Sequence, residues 1–328
     1  MSSPTMNLVQ AVNLALDDAM STDPNVIVFG EDVADRQEGG VMGVTKGLSS
    51  KHGDLRVRST PISEQAIIGA AIGASLVGMK PVAEIMLMNF TTVAMDMIVN
   101  HAAKLRFMSG GQTHVPITIR TMTGAGFSVG GQHSDFLEAW FAHTAGIKVI
   151  APSTPADAYG LLLSCIDDED PCLFIENMTM YWTPGPVPER GVRIQLGKAN
   201  VARGGKDATV IAYSRQVVDA CAAADKLAKE GISVEVIDLR TIAPFDVETV
   251  LTSVAKTKRA VIVHEAVKPF GVGAEISSRI HEELFAQLKA PVQRVASAFC
   301  PVPFSKPLET AFVPGVPEIE AAIRKTLA

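Results

Sequence analysis

Aromatic side chains make up only 5% of this 328-residue chain, with two Trp and three Tyr. A core with few rings must be built from Ala, Val, Ile, Leu and Met, which suits packed α/β layers. Cysteine is scarce as well. Cys165, Cys172, Cys221 and Cys300 show no two-residue spacing, so the chain lacks the pattern of a zinc site or a dithiol redox pair, and they read as small buried hydrophobes in a reducing compartment. Positive charge is not in excess: 29 Lys and Arg stand against 35 Asp and Glu, a net charge of −6 without any basic run. That balance argues against nucleic acid or an anionic membrane surface as the main partner. The longest apolar stretch, residues 66–79, falls short of the roughly 20 residues that span a bilayer and fits a buried helix. The N-terminus lacks the basic and apolar regions of a secretory leader, which points to the cytoplasm. There is no Walker loop, low-complexity tract or short repeat.

Hydrophobic residues nevertheless reach 47%, and a chain of this length buries about three quarters of its unfolded surface. Strand-like and helix-like segments alternate throughout, predicting an α/β fold of two doubly wound, mostly parallel sheet domains. Residues 6–20 place Leu8, Val12, Ala15, Leu16 and Ala19 on one helical face. Residues 25–29 read as a buried strand that ends in Gly30-Glu31-Asp32. A Gly-rich mobile loop and a short helix occupy 34–53. A helix over 91–107 would carry Asp96, Asn100 and Lys104 on one side, and 115–120 reads as a strand. After a further strand-helix-strand unit over 147–176, Pro and Gly accumulate at 182–191, and regular structure resumes near Asp207. The predicted organisation is a first domain over 1–190, a linker over 191–206 and a smaller domain over 207–328.

One stretch organises the rest. Residues 60–90 read as loop, helix and strand, with Glu64 at the mouth of the helix. The helix over about 65–76 is almost entirely small or apolar, with Ala66, Ala70 and Ala74 on one stripe and Gly69 and Gly73 beside it. Each interior Gly costs roughly 1 kcal/mol against Ala, so tight packing at the centre of a domain or at a subunit interface is expected. Glu64 sits where the helix dipole favours negative charge. It is either a first-turn acid that improves the helix or a carboxylate at the edge of a dry pocket, suited to proton transfer. Glu31 and Asp32, just past a strand's carboxyl end, lie where open parallel sheets bind ligands, or form a solvated turn. His133 follows the Gly-rich run 124–131 and is either structural or presented to a substrate.

The motifs Thr60-Pro-Ile-Ser-Glu64, the small-residue helix, the strand over 80–90, Gly130-Gly-Gln-His-Ser134, Val236-Ile-Asp-Leu-Arg240 and Val263-His-Glu265 run in order over nearly the whole chain. Together they resemble the beta subunit of the thiamine-diphosphate-dependent dehydrogenase/decarboxylase component of 2-oxo acid dehydrogenase complexes, a transketolase-like family with pyruvate, branched-chain and acetoin members. The resemblance implies a pyrimidine-binding first domain and a transketolase C-terminal-like second domain. It also implies that Glu64 hydrogen-bonds the aminopyrimidine and favours its imino tautomer, that Met86 and Phe90 line the ring, and that Glu31 lies near the pocket or its proton path. His133 would face the substrate and protonate an intermediate or steady the lipoyl group. Met86 and Phe90 also fit ordinary core packing.

No Gly-Asp-Gly with an Asn some thirty residues on is present, the pattern that holds magnesium and a diphosphate. The resemblance accounts for this by division of labour: an alpha subunit grips magnesium and the diphosphate in a two-alpha two-beta heterotetramer, which hands an acyl group to a lipoyl-bearing acyltransferase core. It also maps a potassium site, built largely from main-chain oxygens, onto Ile117, Cys165, Ile166, Asp168 and Asp170, where a solvated acidic turn is the other reading. Two rival functions stand beside this one: a transketolase-like transferase half-chain needing a partner, and a non-catalytic scaffold docking an acyltransferase core. Residues 43–48 and 120–126 look most like acetoin members and 264–266 like branched-chain ones, so the substrate stays open.

Overall fold

The computed structural model describes residues 4–328. The chain divides into two compact units, the first taking residues up to Thr123 together with Trp140–Leu196, the second Gly124–Ala139 with Gly197–Ala328.

In the first unit the strands Val26–Glu31 (β1), Val57–Thr60 (β2), Lys80–Leu87 (β3), Thr118–Thr123 (β4), Lys148–Ile150 (β5) and Cys172–Asn177 (β6) lie in the order β5-β6-β4-β3-β1-β2 and pair in parallel. Strands buried on both faces need apolar side chains throughout, and β6 is buried at every position. Close approach fixes one position in particular. A Cβ on Gly30 of β1 would meet the Glu84 carbonyl oxygen at 2.6 Å, so no larger residue fits. The strand order reverses between β1 and β3, and ligands of open parallel sheets bind outside the carboxyl ends at such a switch point.

Helix α1 (Leu8–Thr22) buries Leu8, Val12, Ala15, Leu16 and Ala19, the face read from the sequence. Asn7 caps it, accepting from the Gln10 amide at 2.9 Å while the Gln10 side chain accepts from the Asn7 amide at 3.0 Å. Helix α2 (Glu64–Ser75) packs on β3 through Ile67, Ile68, Ala71, Ile72 and Ser75. Its small-residue stripe is not at the centre of a domain: Ala66, Ala70 and Gly73 are exposed. Helix α3 (Pro155–Asp167) packs on α1, and its N-cap Thr154 accepts from the Asp157 amide at 3.0 Å.

Two elements differ from expectation. The helix read over 91–107 is a 3-10 turn at Met88–Thr92, a π-helical turn at Met97–Ala102 and a short helix at Leu105–Met108. The expected polar line survives the break, since Asn100 donates to Asp96 at 2.8 Å and Lys104 to Asn100 at 3.0 Å. The strand read at 115–120 pairs only from Thr118, because Pro116 has no amide proton to donate.

The second unit holds strands Asn200–Arg203 (β7), Ala208–Ala212 (β8), Val234–Asp238 (β9), Ala260–Val267 (β10) and Gln293–Ser297 (β11) in the order β11-β10-β8-β9-β7, all parallel except β7. Strand β7 falls inside the stretch read as linker. Helices α4 (Arg215–Ala228), α5 (Val247–Thr257), α6 (Val272–Leu284), α7 (Lys306–Phe312) and α8 (Val316–Leu327) accompany the sheet. Its core is aliphatic, with Val210, Ala220, Ala224, Leu227, Val236, Val261 and Ile319 fully buried. Among the described residues no helix is long and apolar enough to cross a membrane.

Candidate active site

The carboxyl edge of the first unit's sheet gathers several of the residues singled out in the sequence. Glu31 ends β1 beside Thr60, the last residue of β2, and Glu64 opens α2 four positions later. Both carboxylates are half-buried. Burial, with the neighbouring charges of Asp32 and Glu64, pushes the Glu31 carboxyl above its ordinary range. Met86, on β3, lines a cleft together with Gly39, Gly40, Met42, Val44 and Met122. Phe90 lies in the 3-10 turn that follows, half-buried. The dry surroundings expected for Glu64 are not supplied by this chain alone: Ile62, two residues before it, is 75% exposed.

The floor of the cleft holds charges that the sequence reading passed over. Arg120, only 2% exposed, donates from Nη1 to Glu84 at 2.6 Å, and from Nε and Nη2 to the two oxygens of Glu176 at 2.7 and 2.8 Å. Tyr181 donates its hydroxyl to Glu176 at 2.7 Å. Burial raises the Glu84 carboxyl, Arg120 opposes that rise, and the net shift is upward. Burial also lifts the Tyr181 hydroxyl. A signal for this cluster was present, since Glu84, Arg120 and Glu176 are charges within strands of a parallel sheet, where a buried charge needs a partner.

His133 belongs to the second unit, half-buried in a single helical turn, Gly131–Ser134. The same segment ends in Glu138, fully buried, which accepts the Tyr213 hydroxyl at 2.7 Å. Burial pushes Glu138 up to about 7. The Tyr213 ring stacks on His264, and burial pulls His264 down to about 4.

The residues mapped to potassium lie just before β4, at the end of α3 and in the turn before β6. The Ile117 carbonyl accepts from the Cys172 amide at 2.9 Å, and Cys165 and Ile166 are the last buried residues of α3. The carboxylates, however, are already matched: Lys148 donates to Asp168 at 2.6 Å and Arg106 to Asp170 at 2.8 Å. Burial would raise Asp170, but Arg106 and Lys148 outweigh it and hold the carboxyl below its usual range. Among the described residues no cluster of three His, Cys, Asp or Glu is arranged for a metal.

Comparison with known proteins assigns both halves of the chain. Residues 4–182 match the transketolase pyrimidine-binding domain and residues 197–319 the transketolase C-terminal domain. The fold resembles the solved structure of a split-gene transketolase, an inactive beta4 tetramer, with a TM-score of 0.77 at 22% identity over 98% of each chain. The chain is thus a two-domain α/β protein of the transketolase-like class.

Sequence similarity narrows this further. The beta subunit of acetoin:2,6-dichlorophenolindophenol oxidoreductase from Cupriavidus necator is 46% identical over 98% of this chain and 97% of that subunit. The pyruvate dehydrogenase E1 beta subunit of Bacillus subtilis is 42% identical over 98% of each. This chain belongs to the family of beta subunits of thiamine-diphosphate-dependent acetoin and 2-oxo acid dehydrogenases, and is an oxidoreductase subunit.

Proposed function

We propose that this chain supplies the aminopyrimidine half of a divided active site, working with an alpha subunit in a two-alpha two-beta assembly in the cytoplasm. One observation carries the reading: Glu64 stands at the N-terminus of α2, half-exposed at the carboxyl edge of the sheet, beside the switch point where such folds bind ligands. The residues fit the group. A carboxylate for the pyrimidine nitrogen follows β2, while an apolar contact from Met86 and a ring from Phe90 lie at and just past the end of β3, the two strands that flank β1, and the exposed Ile62 leaves room for a second chain to close the site. Bound thiamine diphosphate would supply an electron sink for breaking the carbon–carbon bond of a 2-oxo acid or of acetoin.

In this reading the Glu64 carboxyl would hydrogen-bond the ring nitrogen of the aminopyrimidine, with Glu31, its carboxyl raised by burial, near the pocket or its proton path. Met86 and Phe90 bind and orient the ring. His133 faces the substrate and moves a proton, or steadies the lipoyl arm of an acyltransferase core. Magnesium and the diphosphate fall to the alpha subunit. A potassium ion would sit on the main-chain oxygens of Ile117, Cys165, Ile166, Asp168 and Asp170 as a structural ion. Residues 1–190 would form the pyrimidine-binding domain and 207–328 the C-terminal-like domain.

Calorimetric titration of thiamine diphosphate and magnesium, first into this chain alone and then into the chain co-purified with its genomic neighbour, tests the division of labour. Binding only with the neighbour supports it, and tight binding to the chain alone refutes it. Dichlorophenolindophenol reduction by the assembly, with acetoin as the first substrate and pyruvate and branched-chain 2-oxo acids next, then fixes the substrate. A complex that takes up the cofactor and reduces no dye with any of them refutes the dehydrogenase reading.

A further inference from the structure

The segment that carries His133 poses a physical problem. Residues 124–131 hold four glycines, and Gly maximises the conformational entropy lost on ordering. Gly124, Gly126, Ser128 and Gly130 all adopt positive φ, at 113°, 143°, 57° and 74°, so the run forms no helix or strand of its own and cannot satisfy its own backbone groups. Something outside it must hold it in one shape if the histidine that follows is to stand in a fixed place.

The second unit provides that hold from residues far away in sequence. Glu309, on α7 and 1% exposed, accepts from the Gly126 amide at 2.7 Å and the Ser128 amide at 2.9 Å with one oxygen, and from the Ser128 hydroxyl at 3.2 Å with the other. Lys306, one helical turn earlier, donates to the Gly126 carbonyl at 2.6 Å and to Glu309 at 3.3 Å, completing a network of five charge-assisted contacts. Glu265 accepts from the Ala125 amide at 2.6 Å. Further along, a Cβ on Gly130 would run into the Phe304 ring, and one on Gly131 would come within 3.2 Å of the Pro301 side chain. The far end is tied by the Tyr213 hydroxyl to Glu138 at 2.7 Å. His133 therefore sits between two anchored ends, five residues beyond Ser128 and five before Glu138.

We propose that Glu309, assisted by Lys306 and Glu265, is a positioning residue: its buried carboxylate fixes the glycine run and thereby sets where His133 stands. This rests on the role given to His133 above. Burial of Glu309 would raise its carboxyl, but the amides of Gly126 and Ser128 and the Lys306 ammonium outweigh it and hold it below its usual range, so it is an anion at neutral pH and accepts with full charge. Charged acceptors make the stronger hydrogen bonds. The conformation imposed is one that the glycines alone would leave unspecified.

Amide hydrogen exchange on the full chain in its co-purified assembly reads the hold directly. In Glu309→Ala, peptides covering 124–131 are expected to exchange at least tenfold faster while those covering β8 and β9 keep their protection. Glu309→Gln falls between, because one amide oxygen can still accept from Gly126 and Ser128. Turnover in Glu309→Ala is expected to fall at least tenfold through kcat, with a smaller change in KM, and to recover in part in Glu309→Gln. A control, Glu230→Gln, removes an exposed ion pair with Arg324 and leaves both readouts unchanged. If Glu309→Ala fails to assemble, Lys306→Met, a 62% exposed side chain, carries the test and is expected to loosen the same peptides. Unchanged exchange over 124–131 in a folded Glu309→Ala, or in Lys306→Met if the former does not fold, overturns the proposal. Full turnover in His133→Ala would remove the role of His133 and leave the exchange result standing, so the two readings fail separately.

Discussion

Replacing Arg120 by Met tests the physics of the cleft floor. The guanidinium makes three contacts of 2.6, 2.7 and 2.8 Å to Glu84 and Glu176, and charge-assisted hydrogen bonds contribute about 1.5–3 kcal/mol each. Their plain sum, about 4.5–9 kcal/mol, overstates the loss. Burial already raises the Glu84 carboxyl against the opposing Arg120 charge, so loss of Arg120 pushes it further up and lessens the charge left buried, and Glu176 keeps the Tyr181 hydroxyl at 2.7 Å. What remains is one buried carboxylate without its cation, and breaking such a pair costs about 3–5 kcal/mol. We expect roughly 4 kcal/mol, seen in urea unfolding as a lower midpoint at unchanged slope. The pH dependence follows from the same proton. With Glu84 raised in the folded variant above its unfolded value of about 4.3, the folded state binds more protons than the unfolded one between those two values. Stability then falls as pH rises, so the deficit relative to the parent protein should be larger at pH 8 than at pH 5.5. A loss below 1 kcal/mol, or one equal at both pH values, refutes the argument.

Four further outcomes are expected. Glu64→Gln should lower turnover by about 10²–10⁴-fold, the range for a lost proton-transfer group, with the assembly intact by gel filtration; a fully active variant removes Glu64 from the chemistry. Glu138, raised to about 7, favours the folded state below its ordinary value and loses that contribution as pH rises through 7, so Glu138→Gln should flatten the stability profile between pH 5 and 8 by thermal melting. Gly30→Ala should cost about 1–3 kcal/mol as an overpacked site, because its Cβ would stand 2.6 Å from the Glu84 carbonyl; unchanged chemical denaturation would show that β1 and β3 can part without cost. Thr154→Ala removes the N-cap of α3 and should cost about 1 kcal/mol by urea titration, with turnover unchanged.

Much of the fold was legible in the sequence because it rests on periodicity. The buried face of α1 is the stripe Leu8, Val12, Ala15, Leu16 and Ala19, and the alternation of short apolar runs with amphipathic ones yields parallel sheets in both units. Boundaries were less legible. Strand β4 begins at Thr118 rather than at Val115, since pairing with β3 and β6 selects which residues of an apolar run join the ladder. The stretch 91–107 reads as helical by composition, yet Met97–Ala102 forms a π turn, whose wider loop no local pattern announces. Strand β7 is short, antiparallel and half-exposed, paired with β9 alone, so it carries too little hydrophobic pattern to stand out from a linker.

By itself the sequence determined the class of fold, the family, and the place of Glu64 at the start of a helix, because each depends on residues adjacent in the chain or spaced by a helical or strand period. The tertiary structure decided what depends on distant partners. Arg120 needed Glu84 from 36 residues before it and Glu176 from 56 after it. The glycine run before His133 needed Glu309 from α7, and the small-residue face of α2 turned out to be exposed. A buried charge or an unsatisfied amide is a demand that sequence makes visible, but only the folded chain shows which group answers it.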